Sequence, residues 1–242
     1  MDRGRPLILC ATAMELAPFL EAHPAQKVPH PQFPGSPIHM ELEQAPVDIL
    51  ITGPGMANTL HGLTAFLSLD RPRPSTIFNL GIAGAFESNL ASGELVMATE
   101  VIDAHTGVTK DRLPHAPLPF DLIPGHGESR QGHYPLDATQ IKHWAAAFKD
   151  HGLPVRVGPL LTVSAITGTP AHAQALHRAH APLAEAMEGA AGAHIAALYH
   201  LPFMEIRSIS NPAGVRDKSQ WNIPLACQSL AKAGQVIVRN YE

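Results

Sequence analysis

The sequence predicts an α/β fold contained in one domain, and three observations carry that expectation. Short apolar runs recur between turn signals, several without polar alternation, as strands buried on both faces require. Between them lie segments with apolar residues at three- and four-residue spacing, the mark of helices that bury one face. The length of 242 residues, 45% of them hydrophobic, lies within what a single core can fill. Strands and helices therefore alternate along the chain, as in layered α/β proteins.

Taken in order, the first strand is Leu7–Thr12, an apolar run preceded by Arg3 and Arg5 but cut off by Glu15 too early for a secretory leader. A second strand at Val47–Thr52 leads into a helix at Asn58–Leu69, and strands follow at Thr76–Leu80 and Leu95–Val101. The segment Leu113–Pro135 is rich in Pro, Gly and His without a usable period, so it reads as a long loop, of the kind that is often functional. The helix Asp137–His151 has Asp137 as N-cap and Gly152 just past its last turn. After the strand Val155–Val163 comes the helix Thr169–Ala179, with Pro170 at its first helical position. A helix at Leu183–Tyr199, a strand at Phe203–Ile209 and a helix at Pro224–Tyr241 complete the order.

Several function classes are excluded early. With 17 Lys+Arg against 21 Asp+Glu, the chain lacks the basic excess that a nucleic-acid partner needs. No run of eighteen apolar residues occurs, so a membrane-spanning helix is not expected, and a soluble cytoplasmic protein is. Cys10 and Cys227 form no C-x-x-C and read as reduced, buried thiols. Gly53-Pro54-Gly55 follows a strand, but Asn58 stands where a dinucleotide fingerprint needs its third glycine. His172, His177 and His180 are not at i,i+4 spacing and no H-E-x-x-H occurs, so they read as surface histidines and no metal is expected. No G-x-S-x-G elbow is present, and no cofactor is implied.

The chemistry concentrates in Glu185-Ala186-Met187-Glu188-Gly189-Ala190-Ala191-Gly192-Ala193-His194 and in Leu201-Pro202-Phe203-Met204-Glu205-Ile206-Arg207-Ser208-Ile209-Ser210-Asn211. A carboxylate opens a helix of small residues, and a buried strand then ends in a short polar side chain. Helix starts and strand ends at the carboxyl edge of an α/β sheet are where ligands bind. On pattern alone, Glu188 could equally be a first-turn acid favoured by the helix dipole.

These segments resemble the M-E-x-x-A and R-x-I-S-D signatures of the methylthioadenosine/S-adenosylhomocysteine nucleosidases and their purine nucleoside phosphorylase relatives. Asn79-Leu80-Gly81-Ile82-Ala83-Gly84-Ala85 resembles the family's N-x-G-x-A-G-G turn, and Thr52-Gly53-Pro54-Gly55 its S-G-x-G turn. The resemblance implies a three-layer sandwich with a central mixed, mostly parallel sheet flanked by helices. It also implies a nucleoside substrate and a homodimer or higher homo-oligomer, whose neighbouring subunit completes the 5′ pocket.

Residue by residue, Glu188 matches the carboxylate that holds the ribose hydroxyls and Met187 the residue packed on the sugar. Glu15 matches the acid that activates the attacking water. The register there needs care, because Ala13-Met14-Glu15 mimics an A-M-E-E-E whose essential acid comes last, and that register would put Ala17 in the role. The Ala17-Pro18-Phe19-Leu20 continuation places Glu15 there instead, and a helix-start acid without catalytic duty is the alternative. Ile82 stands in the place of a serine, Ala83 and Gly84 should line the reacting centre, and Ser164 to Ile166 one wall of the base pocket. An acid where phosphate would approach favours water as nucleophile.

Asn211 replaces the aspartate of the adenine-specific enzymes. An amide can donate to O6 or N7 of a 6-oxopurine, where a carboxylate would set lone pair against lone pair; Asn211 could also merely cap the following loop. Gly214-Val215-Arg216-Asp217 and Trp221-Asn222-Ile223-Pro224 resemble the futalosine hydrolase signature. Futalosine is inosine-like with a carboxyphenyl ketone at its 5′ end, and Arg216 is the candidate for that carboxylate unless it pairs with Asp217 or Asp103. The family implies hypoxanthine release in menaquinone biosynthesis. The competing readings are a 6-oxopurine nucleoside phosphorylase and a nucleoside-binding module without catalysis.

Overall fold

The computed structural model describes residues 4–30, 32, 37–109 and 114–241. Strand β1 (Leu7–Cys10) is buried throughout, with Ile8 and Cys10 facing one apolar cluster and Leu7 and Leu9 the other. Helix α1 (Ala13–Ala22) follows at once, held by a capping box in which Glu15 N–H donates to Thr12 Oγ1 and Thr12 N–H donates to the Glu15 carboxylate. Strands β2 (Ala25–Val28) and β3 (Ile38–Leu42) form an antiparallel edge beside β4 (Asp48–Ile51). Neither edge strand nor α1 was resolved as an element from the apolar pattern. The β2 run A-Q-K-V is half polar and half exposed, so it carries no hydrophobic signature.

Helix α2 (Met56–Leu67) starts two residues before the expected Asn58, directly after the Gly53-Pro54-Gly55 turn. Strand β5 (Ile77–Ala85) runs five residues beyond the expected end at Leu80, so Gly81 to Ala85 belong to a strand and not to a turn. Strand β6 (Leu95–Asp103) is followed by a small hairpin of β7 (Val108–Thr109) and β8 (Pro114–Ala116). The segment expected as a structureless loop also contains a 3₁₀ turn at Gly127–Gln131 and strand β9 (His133–Pro135), which pairs with β6; its first residue, Leu113, lies outside the described residues.

Helix α3 (Ala138–Asp150), strand β10 (Val155–Thr162) and helix α4 (Pro170–His180) lie where expected, and Asp137 and Thr169 cap their helices. The next expectation is corrected: a helix from Leu183 does not form. Residues Ala184–Ala186 are strand β11, and the helix, α5, covers Gly189–Leu198. Alanine, glutamate and methionine favour helix locally, but pairing with both β10 and β5 overrides that preference. Strand β12 (Phe203–Pro212) and helix α6 (Ile223–Arg239) complete the chain.

The main sheet runs β11-β10-β6-β12-β5-β1-β4-β3-β2, and the additional β11–β5 pairing closes its first five strands into a ring. The long pairings, β12–β5 and β10–β6, are parallel; antiparallel ones close the ring and finish the edge. Helices α1, α3 and α6 contribute to the apolar cluster on one face, and α2 and α5 to that on the other, giving three layers. Helix α5 is made of small residues because the sheet comes close: a Cβ on Gly192 would lie 2.7 Å from the Phe203 ring. Among the described residues no helix is long and apolar enough to cross a membrane.

Candidate active site

The carboxyl ends of β1, β5, β11 and β12 and the start of α5 surround a cleft of about 250 Å³. It brings together Glu15, Ile82, Ala83, Gly84, Ile166, Met187, Glu188, Asn211 and Arg216. Ser164 is not among them. Val163 N–H bonds the Ala186 carbonyl and its side chain faces inward, so the following residue is turned out to solvent and Val163 takes the expected place. None of the residues 114–135 lines this cleft, and that segment instead flanks a second depression against α5.

Glu188 is the N-cap residue of α5, but its side chain makes no cap bond. One carboxylate oxygen accepts from Gly55 N–H (2.9 Å); the other accepts from Met187 N–H (3.3 Å) and meets the Arg207 guanidinium at 3.3 Å. The helix start is served instead by Thr162, whose hydroxyl accepts from Ala190 N–H at 2.8 Å. The Gly-Pro-Gly turn thereby gains a reason. Gly53 and Gly55 have φ of 92° and 88°, a conformation side chains resist, and it aims the Gly55 N–H at the carboxylate. A dipole-favoured surface acid would not be buried and gripped from three sides.

Glu15 is equally buried and equally held. Its Oε1 accepts from Ile82 N–H at 3.0 Å, and its Oε2 accepts from the Thr12 hydroxyl at 2.7 Å. The capping role and the cleft-lining role coexist in one side chain. Between Glu15 and Glu188 lies Arg207, wholly buried, with Nε 2.8 Å from Glu205. Burial opposes its charge, but Glu205, Glu188 and Glu15 outweigh that and raise its pKa. Burial pushes the Glu205 carboxyl up, with Arg207 pulling against it. A side chain on Gly81 would collide with the Arg207 guanidinium and crowd Glu15, which explains the glycine.

At the other end, β12 bulges between Ile209 and Asn211, and such bulges re-aim side chains beside sites. Ser210 O–H donates to Asn211 Oδ1 (2.7 Å) and Asn211 Nδ2 donates to the Pro212 carbonyl (3.0 Å), which fixes the amide and leaves its second N–H for a ligand. Glu185, buried beneath, accepts from Thr167 N–H (3.1 Å) and from the Thr167 hydroxyl. Arg216 stacks on Trp221 with its guanidinium carbon 4.9 Å from the ring centre. Among the described residues it forms an ion pair with neither Asp217 nor Asp103 within 4.0 Å.

Arg207, Glu205 and Glu185 fall inside the segments that the sequence marks as chemical, but their pattern assigns them no role. Glu205 and Arg207 stand two apart in a buried strand, so they share a face, and opposite charges so placed were the available signal. Glu185 carried none, because its run reads as helix.

The Phosphorylase superfamily model matches residues 6–241. A futalosine hydrolase of Thermus thermophilus is 34% identical over 229 residues, covering 94% of this chain and 92% of the relative. Among solved structures, the futalosine hydrolase of Helicobacter pylori superposes with a TM-score of 0.81 at 17% identity, covering 98% of each chain. The 5′-methylthioadenosine/S-adenosylhomocysteine nucleosidase of the same organism gives 0.82 at 15%, covering 99% of this chain and all of the other. At those identities the two structures establish the three-layer fold.

Proposed function

The chain belongs to the phosphorylase superfamily, and from that membership and its cleft we propose that it is a futalosine hydrolase, an N-glycosyl hydrolase that frees hypoxanthine from futalosine and leaves dehypoxanthine futalosine. The carrying observation is the charge of the cleft: among the described residues that line it are three carboxylates, Glu15, Glu185 and Glu188, and one guanidinium, that of Arg216. A phosphate dianion approaching the sugar would meet the carboxylates of Glu15 and Glu188 and, among the described residues, no free clamp of cations. Water meets acceptors that can orient it. Hydrolysis is thus favoured over phosphorolysis, and the pairing of Glu15 with Glu188 in one cleft disfavours a binding module without catalysis.

In this reading Glu188 holds the ribose 2′- and 3′-hydroxyls, and its grip strengthens as positive charge develops at the sugar. Met187 packs on the ribose, and Glu15 orients and deprotonates water for attack at C1′. Ile82, Ala83 and Gly84 frame the reacting centre. Asn211 donates its remaining N–H to O6 or N7 of the departing base, and Val163 and Ile166 wall that end. One domain, 1–242, does all of this without metal or cofactor.

Arg216 then meets the 5′ carboxylate of futalosine, freed from any acidic neighbour in its own loop and made rigid by Trp221. Arg216→Met should raise KM for futalosine about tenfold, the order expected of one charge-assisted hydrogen bond at an exposed position, and leave inosine unaffected. Equal losses on both nucleosides would remove Arg216 from the 5′ site. We further propose a homo-oligomer, a dimer in its simplest form, in which a neighbour covers Met14 and Ile166, both more than half exposed on the cleft rim. A monomer in sedimentation at micromolar concentration would overturn that.

The deciding assay is base release from futalosine, inosine and methylthioadenosine with and without phosphate. Phosphate-independent hypoxanthine from futalosine is expected. Adenine from methylthioadenosine as the preferred reaction, or strict phosphate dependence, would overturn the assignment. Acting in the cytoplasm, the activity would feed menaquinone biosynthesis, so a strain without the chain should accumulate futalosine; unchanged futalosine would take the protein off that route.

A further inference from the structure

Two side chains of different strands converge on one glycine. In the β11–β5 pairing Glu185 stands opposite Gly84, and in the β12–β5 pairing Asn211 stands opposite the same residue. A Cβ placed on Gly84 would lie 3.4 Å from Asn211 Nδ2 and 3.5 Å from Glu185 Cγ. Both line the cleft, and Gly84 leaves the floor between them open. One offers a fixed N–H, because Ser210 holds the amide oxygen; the other is a carboxylate, a pure acceptor when ionised.

A 6-oxopurine presents, side by side, the acceptor O6 and the donor N1–H. A 6-aminopurine presents the reverse, an N6–H donor and an N1 acceptor. We propose that Glu185 is a specificity-determining residue that accepts the N1–H of the leaving hypoxanthine while Asn211 donates to O6, so that the two together read the 6-oxo edge and reject the 6-amino one. This rests on the functional reading above and adds to it a residue outside the sugar and water machinery.

The hydrogen bonds of Glu185 fit an acceptor: both of its oxygens accept from Thr167. Burial outweighs those bonds and the Arg216 charge and leaves its carboxyl raised, so the assignment stands on the geometry. The Thr167 contacts use one lone pair on each oxygen and leave the others for a ligand. A carboxylate serving only to tie the Thr167 loop to β11 would need neither its place on the cleft wall nor its common register with Asn211 on Gly84.

The test uses free bases as well as nucleosides. In calorimetry, Glu185→Gln should weaken hypoxanthine binding by about 10- to 100-fold, the order for losing a buried hydrogen bond to a charged group. Adenine binding should be unchanged or improved, because the glutamine amide can donate to N1. The same contrast is expected in kcat/KM between futalosine and its 6-amino analogue. Equal losses for both bases, or no loss for either, would overturn the inference. If the variant does not fold, the unaltered protein decides: bound [1-¹⁵N]hypoxanthine should show an N1–H proton shielded from solvent exchange and shifted downfield, and a freely exchanging N1–H would overturn it. Futalosine turnover by the unaltered enzyme tests the functional reading separately, since the base-binding results stand whether or not futalosine is the nucleoside.

Discussion

Glu188→Gln is expected to lower kcat on futalosine by at least about 100-fold with a much smaller change in KM, because in the proposed role the lost interaction is one that strengthens only as the sugar becomes cationic. The amide keeps the shape and an acceptor oxygen, so the ground-state hold on the ribose hydroxyls largely survives. What disappears is the negative charge, and a factor of 100 corresponds to about 2.7 kcal/mol of differential stabilisation. The substitution also unbalances the buried set in which Arg207 faces Glu188 and Glu205. Removing one partner of a buried ion pair destabilises by roughly 3–5 kcal/mol, and since Glu205 remains, the loss here should fall below that. A melting curve recorded beside the kinetics separates the two effects. A kcat within threefold of the unaltered enzyme, in protein that is fully folded at the assay temperature, would show that the carboxylate is structural.

How much of this was legible in the sequence depends on whether local and tertiary forces agree. The run Leu7–Cys10 is apolar at every position and buried at every position, so composition alone revealed the strand. Asp137 and Thr169 cap their helices because their side chains satisfy nearby N–H groups, a purely local bond that sequence records faithfully. Ala184–Ala186 is the opposite case. Nothing local favours a strand there; the pairing with β5 that closes the ring decides it, and that partner lies about a hundred residues away in sequence. The same closure brings Glu185 to the cleft, which is why the sequence assigns that residue no role while Glu188, two steps into a familiar motif, has one. Ser164 failed for a smaller reason: the boundary of β10 set the alternation, and one position decides whether a side chain faces cleft or solvent. The glycine motif around Gly81 was recognised but its cause was not, since the close approach of Arg207 is a fact of packing between two strands.

Glu15 carries the second large prediction. Glu15→Gln should lower kcat by about 100- to 10,000-fold, the contribution of a positioned general base, while hypoxanthine binding stays intact because the base end of the cleft lies apart from it. The structure also forecasts a cost to folding. Both carboxylate oxygens accept hydrogen bonds, one from Ile82 N–H and the other from Thr12 N–H and its hydroxyl. An amide must set its NH₂ against one of those donors, and the capping box loses half its exchange, at a cost of about 1 kcal/mol. Lower stability with unchanged turnover per folded molecule would make Glu15 a helix cap and nothing more. Turnover that collapses in folded protein, with added formate restoring part of it by standing in for the missing base, would place the carboxylate on the water. The distinction is decisive for the hydrolytic assignment, because in the proposed reading Glu15 stands where phosphate would otherwise attack. If the variant keeps its rate, or gains activity with phosphate instead, the reason for preferring water over phosphate in this cleft falls with it.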